Sequence, residues 1–140
     1  TAVDVMPDAV ALAQRNLARL ALPNVTVLHS SWFTALGDRQ FETIVSNPPY
    51  IDEADPHLAE GDVRFEPRSA LVAADHGLAD LSHIIIQSRQ HLVSGGWLLL
   101  EHGWTQGEAV RALFLQAGFE RVETCRDYGG NERLTVGKLP

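Results

Sequence analysis

The chain has 140 residues, 45% of them hydrophobic, which is enough for one core and one domain's worth of sequence. Its formal net charge of −7, with Lys138 its one lysine and no Lys/Arg cluster, argues against a nucleic-acid backbone as main partner. A mean hydropathy of −0.06 without any long apolar run excludes a membrane-spanning helix, and the expectation is a soluble protein. The start does not resemble a signal peptide, and a lone cysteine, Cys125, fits a reducing cytoplasm.

Residues 1–5 are apolar and alternating and predict a short strand. Pro7 suits the first turn of a helix, and Val10, Ala13, Leu17 and Leu20 follow at helical spacing until Pro23-Asn24. Residues 25–28 predict a strand and 32–36 a helical turn. Residues 41–46 are a third strand, ended by Asn47-Pro48-Pro49, because prolines cannot continue a central strand. Residues 51–76 make a long, mostly irregular loop with Pro56 and Pro67, a length that is usually functional or mobile. A helical stripe of Leu81, Ile84, Ile85, Ser88 and Leu92 comes next, with Gly95-Gly96 as its stop. Residues 97–100 predict a short buried strand, and Val110, Leu113, Phe114 and Ala117 a helix stopped by Gly118. Residues 119–127 and 132–138 predict a hairpin across Gly129-Gly130. The alternation implies an α/β domain with a mostly parallel sheet and an antiparallel closing strand.

The chemistry concentrates at Asn47-Pro48-Pro49-Tyr50. Ligands of open α/β sheets bind at the carboxyl ends of strands, where this motif lies. Two prolines fix φ and remove two backbone donors, so the local carbonyls are rigid acceptors. The Asn47 side chain adds an acceptor oxygen, and Tyr50 a flat ring. Such a group can hold a planar –NH2 by both hydrogens and aim the nitrogen lone pair at an electrophile, which is catalysis by positioning. The bland alternative is a Pro-Pro turn capped by Asn47 with Tyr50 on the surface.

The motif after a strand resembles methyltransferases that act on amino groups attached to sp² carbon. With VSNPPYI, GDVRFEP, LVAADHG, GGWLLLEHG and CRDYGGNER, the chain resembles, over essentially its whole length, the release factor glutamine methyltransferases (the HemK family). The resemblance implies a Rossmann-like, S-adenosylmethionine-dependent fold and methyl transfer to the glutamine amide in the Gly-Gly-Gln loop of peptide chain release factors. It assigns Asn47 and Pro48 to the amide hydrogens, and Pro49 and Tyr50 to the pocket that receives the glutamine. It assigns Asp4 to the cofactor ribose hydroxyls, Trp32 to the neighbourhood of the adenine, and Asn47 to the cofactor side as well. Ser31 departs from the family, which often has Asp there. Asp4 could instead be an acid favoured near a helix N-terminus, and Trp32 ordinary core.

The family's first strand and glycine-rich loop should precede Asp4 by roughly 20 residues. The chain opens at Thr1 inside a strand, so the expectation is a catalytic domain truncated at its N-terminus. The family's helical N-terminal domain, which grips the release factor, is expected to be missing from these 140 residues as well. The lost strand normally lies between the strands at 1–5 and 41–46. Loss of its hydrogen bonds predicts weak cofactor binding, an inactive 140-residue fragment, and edges open to dimerisation.

Asp62, Arg64 and Glu66 are candidates for a lid or a release-factor contact, or for a solvated loop with local ion pairs. Glu101 and His102 follow a strand where site residues gather, and a supporting role is expected, since the chemistry needs no base. His29, His57, His76, His83 and His91 show no metal-ligand spacing, so no metal is expected. No nucleophile elbow is visible, and Trp97 and Trp104 are read as packing. Two other functions compete: an adenine amino-methyltransferase of DNA or RNA, which would need basic residues to hold a flipped base, and a non-catalytic structural fragment.

Overall fold

A computed structural model describes all 140 residues. The chain divides into two compact units, Thr1–Arg39 and Gln40–Pro140. No helix is long and apolar enough to cross a membrane.

The first unit is a single βαβ motif: β1 (Ala2–Asp4), α1 (Pro7–Leu20) and β2 (Val27–His29), with the strands parallel and Asp4 opposite His29. Pro7 opens α1, where its missing N–H costs nothing, and Asp8 lies in the first turn, where the helix dipole favours an acid. The helix closes on Ala21 in the left-handed region (φ 51°), before Pro23 is reached. Val10 is the buried member of the predicted stripe, and Ala13 and Leu17 are half-buried. Leu20, at the same helical spacing, is exposed. All of β1 is exposed.

The predicted helical turn at 32–36 is instead a pair of tight turns, closed by Thr34 N–H to Ser31 O (3.1 Å) and Leu36 N–H to Phe33 O (2.9 Å). The buried Ser30 hydroxyl substitutes for helix bonds there. It donates to Trp32 O (2.9 Å) and accepts from the Ala35 N–H (3.0 Å).

The second unit is a four-stranded sheet in the order β3-β4-β6-β5, formed by β3 (Phe41–Ser46), β4 (Leu92–Glu101), β5 (Glu120–Arg126) and β6 (Glu132–Lys138). β3 and β4 are parallel, and β6 is antiparallel to both β4 and β5. Between β3 and β4 run three 3₁₀ turns (Pro56–Ala59, Gly61–Phe65, Arg68–Ala70), the single turn α2 (Ala74–Gly77) and α3 (Ala79–His91); α4 (Gly107–Gln116) precedes the hairpin. Leu81, Ile84 and Ile85 of α3 join Leu98 and Leu100 of β4, Val110 and Phe114 of α4, and Phe119 in the core. Phe114 and Phe119 meet edge to face at 5.2 Å between centroids.

Gly95-Gly96 does not stop the helix. α3 ends at His91, β4 begins at Leu92, and both glycines lie inside this ten-residue strand. The strand bulges there: Phe41 pairs with Leu92, but Thr43 pairs with Trp97. Gly95 takes φ +80°, and a Cβ on Gly96 would crowd Glu42 O at 3.1 Å, so the bulge requires glycine at both places.

β1 and β3 do not pair and belong to separate sheets. Val45 of β3, an edge strand, is 69% exposed.

Candidate functional site

In the first unit the candidates gather after β1 and β2. Asp4 ends β1 and is exposed, and its Oδ1 accepts from the Met6 N–H at 2.7 Å. Oδ2 is left as an acceptor on a carboxylate already oriented by that bond. Its backbone carbonyl takes the Ser30 N–H at 3.0 Å, which ties the two strand ends together. Ser31 is exposed; Trp32 is half-buried at φ 49°, a left-handed conformation uncommon for a bulky residue. Backbone strain of that kind concentrates where side chains are aimed at ligands.

In the second unit the Asn-Pro-Pro-Tyr segment leaves β3 as expected. Asn47 is exposed with no hydrogen bond on its side chain, Pro48 is buried, and Pro49 and Tyr50 are half-buried. Because the two prolines carry no N–H, the next main-chain tie after β3 is at Tyr50, whose N–H donates to Leu71 O (3.2 Å). Ile51 continues it, with its N–H on Leu71 O (2.9 Å) and its carbonyl taking the Ala73 N–H (3.1 Å). The long loop is thus closed at its base by an isolated bridge between Ile51 and Val72.

The Tyr50 hydroxyl donates to Glu101 Oε1 at 2.9 Å. Partial burial, and then the Glu101 carboxylate beside it, push the phenol up to about 12. Glu101 therefore orients Tyr50, the supporting role expected of it. His102 is fully buried; one ring nitrogen meets Gly103 O and the other Thr135 Oγ1, both at 2.9 Å. Thr135 continues to Thr124 (2.9 Å), which accepts from Arg111 Nη1 (2.8 Å). That chain is satisfied by a neutral His102 with its proton on Nδ1, and burial lowers its pKa.

Two residues that sequence reasoning passed over hold this region. Gln106, the residue before α4, donates from Nε2 to Tyr50 O at 2.9 Å. Gly77, at φ +80°, packs so closely on Tyr50 that a Cβ would overlap the Tyr50 carbonyl. Gly77 was within sight as the end of LVAADHG, whereas nothing local marks Gln106.

The loop candidates stay apart from the motif's hydrogen bonds. Asp62 and Arg64 lie in the 3₁₀ turn Gly61–Phe65, and the Arg64 guanidinium stacks 4.6 Å over the ring of Phe65, itself 74% exposed. Asp62, Arg64 and Glu66 form no ion pair with one another. The histidines are dispersed: His57 pairs with Asp55 and His76 with Asp52, each at 2.8 Å, while His29 meets Val5 O at 2.9 Å. Trp104 is exposed and Trp97 half-buried on β4.

Comparison with known proteins gives one consistent answer. The Methyltransferase small domain family matches residues 1–62, which include Asp4 and the Asn-Pro-Pro-Tyr motif. Release factor glutamine methyltransferases are similar along the chain: 69% identical over 139 residues in Salmonella typhimurium, 59% over 138 in Pseudomonas aeruginosa and 51% over 139 in Vibrio cholerae. Each alignment covers 99% of this chain and 50%, 50% and 49% of the relative, so the chain spans about half the length of the curated relatives it matches. Among solved structures, a methyltransferase from Pyrococcus furiosus aligns with a TM-score of 0.69 at 17% identity, covering 99% of this chain and 61% of that one. A ribosomal protein L11 methylase from Lactobacillus delbrueckii aligns with 0.65 at 16%, covering 99% and 56%. At such identities these two establish the methyltransferase fold alone.

Proposed function

We propose that this chain belongs to the release factor glutamine methyltransferases, and that the protein carrying it methylates the side-chain amide of a glutamine in peptide chain release factors. The glutamine is that of the Gly-Gly-Gln motif, the methyl donor is S-adenosylmethionine, and the setting is the cytoplasm, where release factors work. The observation that carries the proposal is the state of Asn47 and Pro48: an exposed, unengaged side-chain amide next to a buried proline at the end of a parallel strand.

The residues fit the adenosyl part of the donor. Asp4 keeps one carboxylate oxygen for a ribose hydroxyl, a charge-assisted bond of the stronger kind. Trp32 supplies a half-buried ring for the adenine, and Ser31 a hydroxyl in place of the family's acid. S-adenosylmethionine, when bound, supplies an electrophilic methyl group.

The remaining work is positioning. Asn47 Oδ1 and the Pro48 carbonyl accept the two amide hydrogens of the glutamine, which favours rehybridisation at nitrogen and turns its lone pair toward the methyl. Pro49 and the Tyr50 ring flank the amide. Tyr50 is no general base, because a phenol pushed up to about 12 stays protonated near neutral pH. As the N–C bond forms, the donor's sulfur would keep the electrons of its broken bond to the methyl. The alkylated nitrogen, now strongly acidic, would lose one of its two hydrogens to water; no strong base is needed, and the motif contains none.

The test is an acceptor panel run with the full-length protein and S-adenosylmethionine: a release factor, the same factor with the glutamine replaced, and adenine-containing DNA and RNA. Methyl incorporation should follow the glutamine alone. Methylated nucleic acid would support the adenine reading instead, and no incorporation anywhere would leave a non-catalytic fold.

A further inference from the structure

We infer that Gln106 is a positioning residue for the acceptor pocket: its side-chain amide clamps the main chain leaving Asn-Pro-Pro-Tyr to the turn between β4 and α4. The inference rests on the amide-grip reading of Asn47 and Pro48.

A Pro-Pro segment is stiff but poorly anchored. It has no N–H groups with which to hold itself to the sheet. Wherever the chain is gripped beyond the prolines, that grip sets the placement of the Pro48 carbonyl and of Asn47. The grip falls on Tyr50, and Gln106 is central to it. Gln106 Nε2 gives one hydrogen to Tyr50 O (2.9 Å) and the other to His76 O (3.1 Å), while Oε1 accepts the Gly103 N–H (2.8 Å). Each of these contacts is within hydrogen-bonding range of a neutral amide.

The far end of the clamp is rigid. Gly103 follows His102, which is fully buried and bonded to Thr135 of β6. The Gln106 N–H also meets Gly103 O at 2.9 Å, so main chain and side chain hold the same residue. The second point of attachment is strained. Asp75, His76 and Gly77 occupy the left-handed region in succession, at φ 54°, 54° and 80°. Two non-glycine residues there persist only when their surroundings hold them. The His76 carbonyl on Gln106 is one such hold, beside the His76 ring on Asp52 (2.8 Å) and the close packing of Gly77 on the Tyr50 carbonyl. One amide therefore ties three segments, at Tyr50, His76 and Gly103, that meet behind the motif.

A glutamate in the same place keeps the shape and the acceptor but has no hydrogen to give while ionised. It would set a carboxylate against two carbonyl oxygens. Protonated, it recovers one donor. Leucine recovers none at any pH. Full-length Gln106→Leu should lose turnover on the order of a hundredfold, the scale of a small misplacement of reacting groups. Gln106→Glu should lose as much at neutral pH, with its kcat relative to the parent rising as pH falls, while the Gln106→Leu ratio stays flat. Binding of S-adenosylmethionine by calorimetry should change by no more than about twofold, since the adenosyl part of the donor is assigned to Asp4 and Trp32 and only Asn47 links the clamp to the donor.

Parent-like kcat in both variants would overturn the inference. So would a Gln106→Glu ratio indifferent to pH, or a loss confined to melting temperature with kcat per folded molecule intact. Asn47→Ala in the same assay separates the two readings. If Asn47→Ala loses turnover and Gln106→Leu does not, the clamp alone fails. If Asn47→Ala retains turnover, the amide grip fails and takes the clamp with it.

Discussion

Gly77→Ala asks whether the motif depends on a close backbone approach. Gly77 sits at φ +80°, and a Cβ there would overlap the Tyr50 carbonyl while approaching Gln106 Nε2 at 2.8 Å. The left-handed conformation costs an L-residue about 1–2 kcal/mol, and forced displacement of packed neighbours about 1–3 kcal/mol more. Gly118 provides the control: its φ is +82°, and nothing lies within 4 Å of its notional Cβ. Gly118→Ala should therefore cost only the conformational part, about 1–2 kcal/mol. Denaturant unfolding of the full-length variants measures both, and steady-state kinetics follows the acceptor. Gly77→Ala should be the more destabilised by about 1–3 kcal/mol, with reduced kcat. Equal costs at the two glycines, with kcat unchanged, would refute the close approach.

Asp4→Ala removes the oriented carboxylate proposed for the ribose. Its loss should weaken S-adenosylmethionine binding by about 1.5–3 kcal/mol, the scale of hydrogen bonds to charged groups; calorimetry on the full-length protein reads it directly, and an unchanged affinity would remove Asp4 from the donor site. His102 predicts an acid-side loss of stability. Its pKa is lowered in the fold by burial, so below the unfolded value of about 6.5 the unfolded chain takes up a proton that the folded one refuses. Denaturation midpoints should fall as pH drops below that value, and His102→Gln should flatten the slope. His57 and His76 have raised values and the opposite sign, but both are exposed, so their effect is small. Tyr50 predicts an alkaline loss: a phenol raised to about 12 adds stability that is full below about pH 10 and lost as pH climbs between the two values. Tyr50→Phe should abolish that part of the alkaline decline in unfolding curves.

The local parts of this fold were legible. A short β-prone run in residues 41–46 followed by Pro-Pro leaves little choice but a strand that exits its sheet, and β3 is Phe41–Ser46 as expected. The β5/β6 hairpin and the stop of α4 were equally open to reading, because glycines stand where positive φ is needed. The start of β4 was not. Leu92 satisfies both a helical stripe and a strand, and Gly95-Gly96 is a helix stop by every local rule; only the bulged pairing with β3 decides otherwise. Leu20 fits the helical stripe but finds nothing in its own unit to bury it.

The site divides in the same way. Asn47, Pro48 and Asp4 were visible because strand ends in α/β sheets attract ligands and these residue types suit the chemistry. Gln106 and the Tyr50–Glu101 bond were not, because they join residues 56 and 51 positions apart. No periodicity or spacing encodes such a contact. β1 and β3 stand in separate sheets, which no local pattern in either strand encodes.

The central claim is that Asn47 grips the amide that receives the methyl group. The most direct measurement is single-turnover methylation of a release factor by full-length parent and Asn47→Ala proteins, with S-adenosylmethionine saturating and folding checked by melting temperature. Loss of one well-placed contact used in the transition state predicts a slower methyl transfer by about two to three orders of magnitude, or roughly 2.7–4 kcal/mol. The melting temperature should not change, because Asn47 is exposed and bonded to nothing in the protein. Methyl transfer at the parent rate in Asn47→Ala would contradict the account.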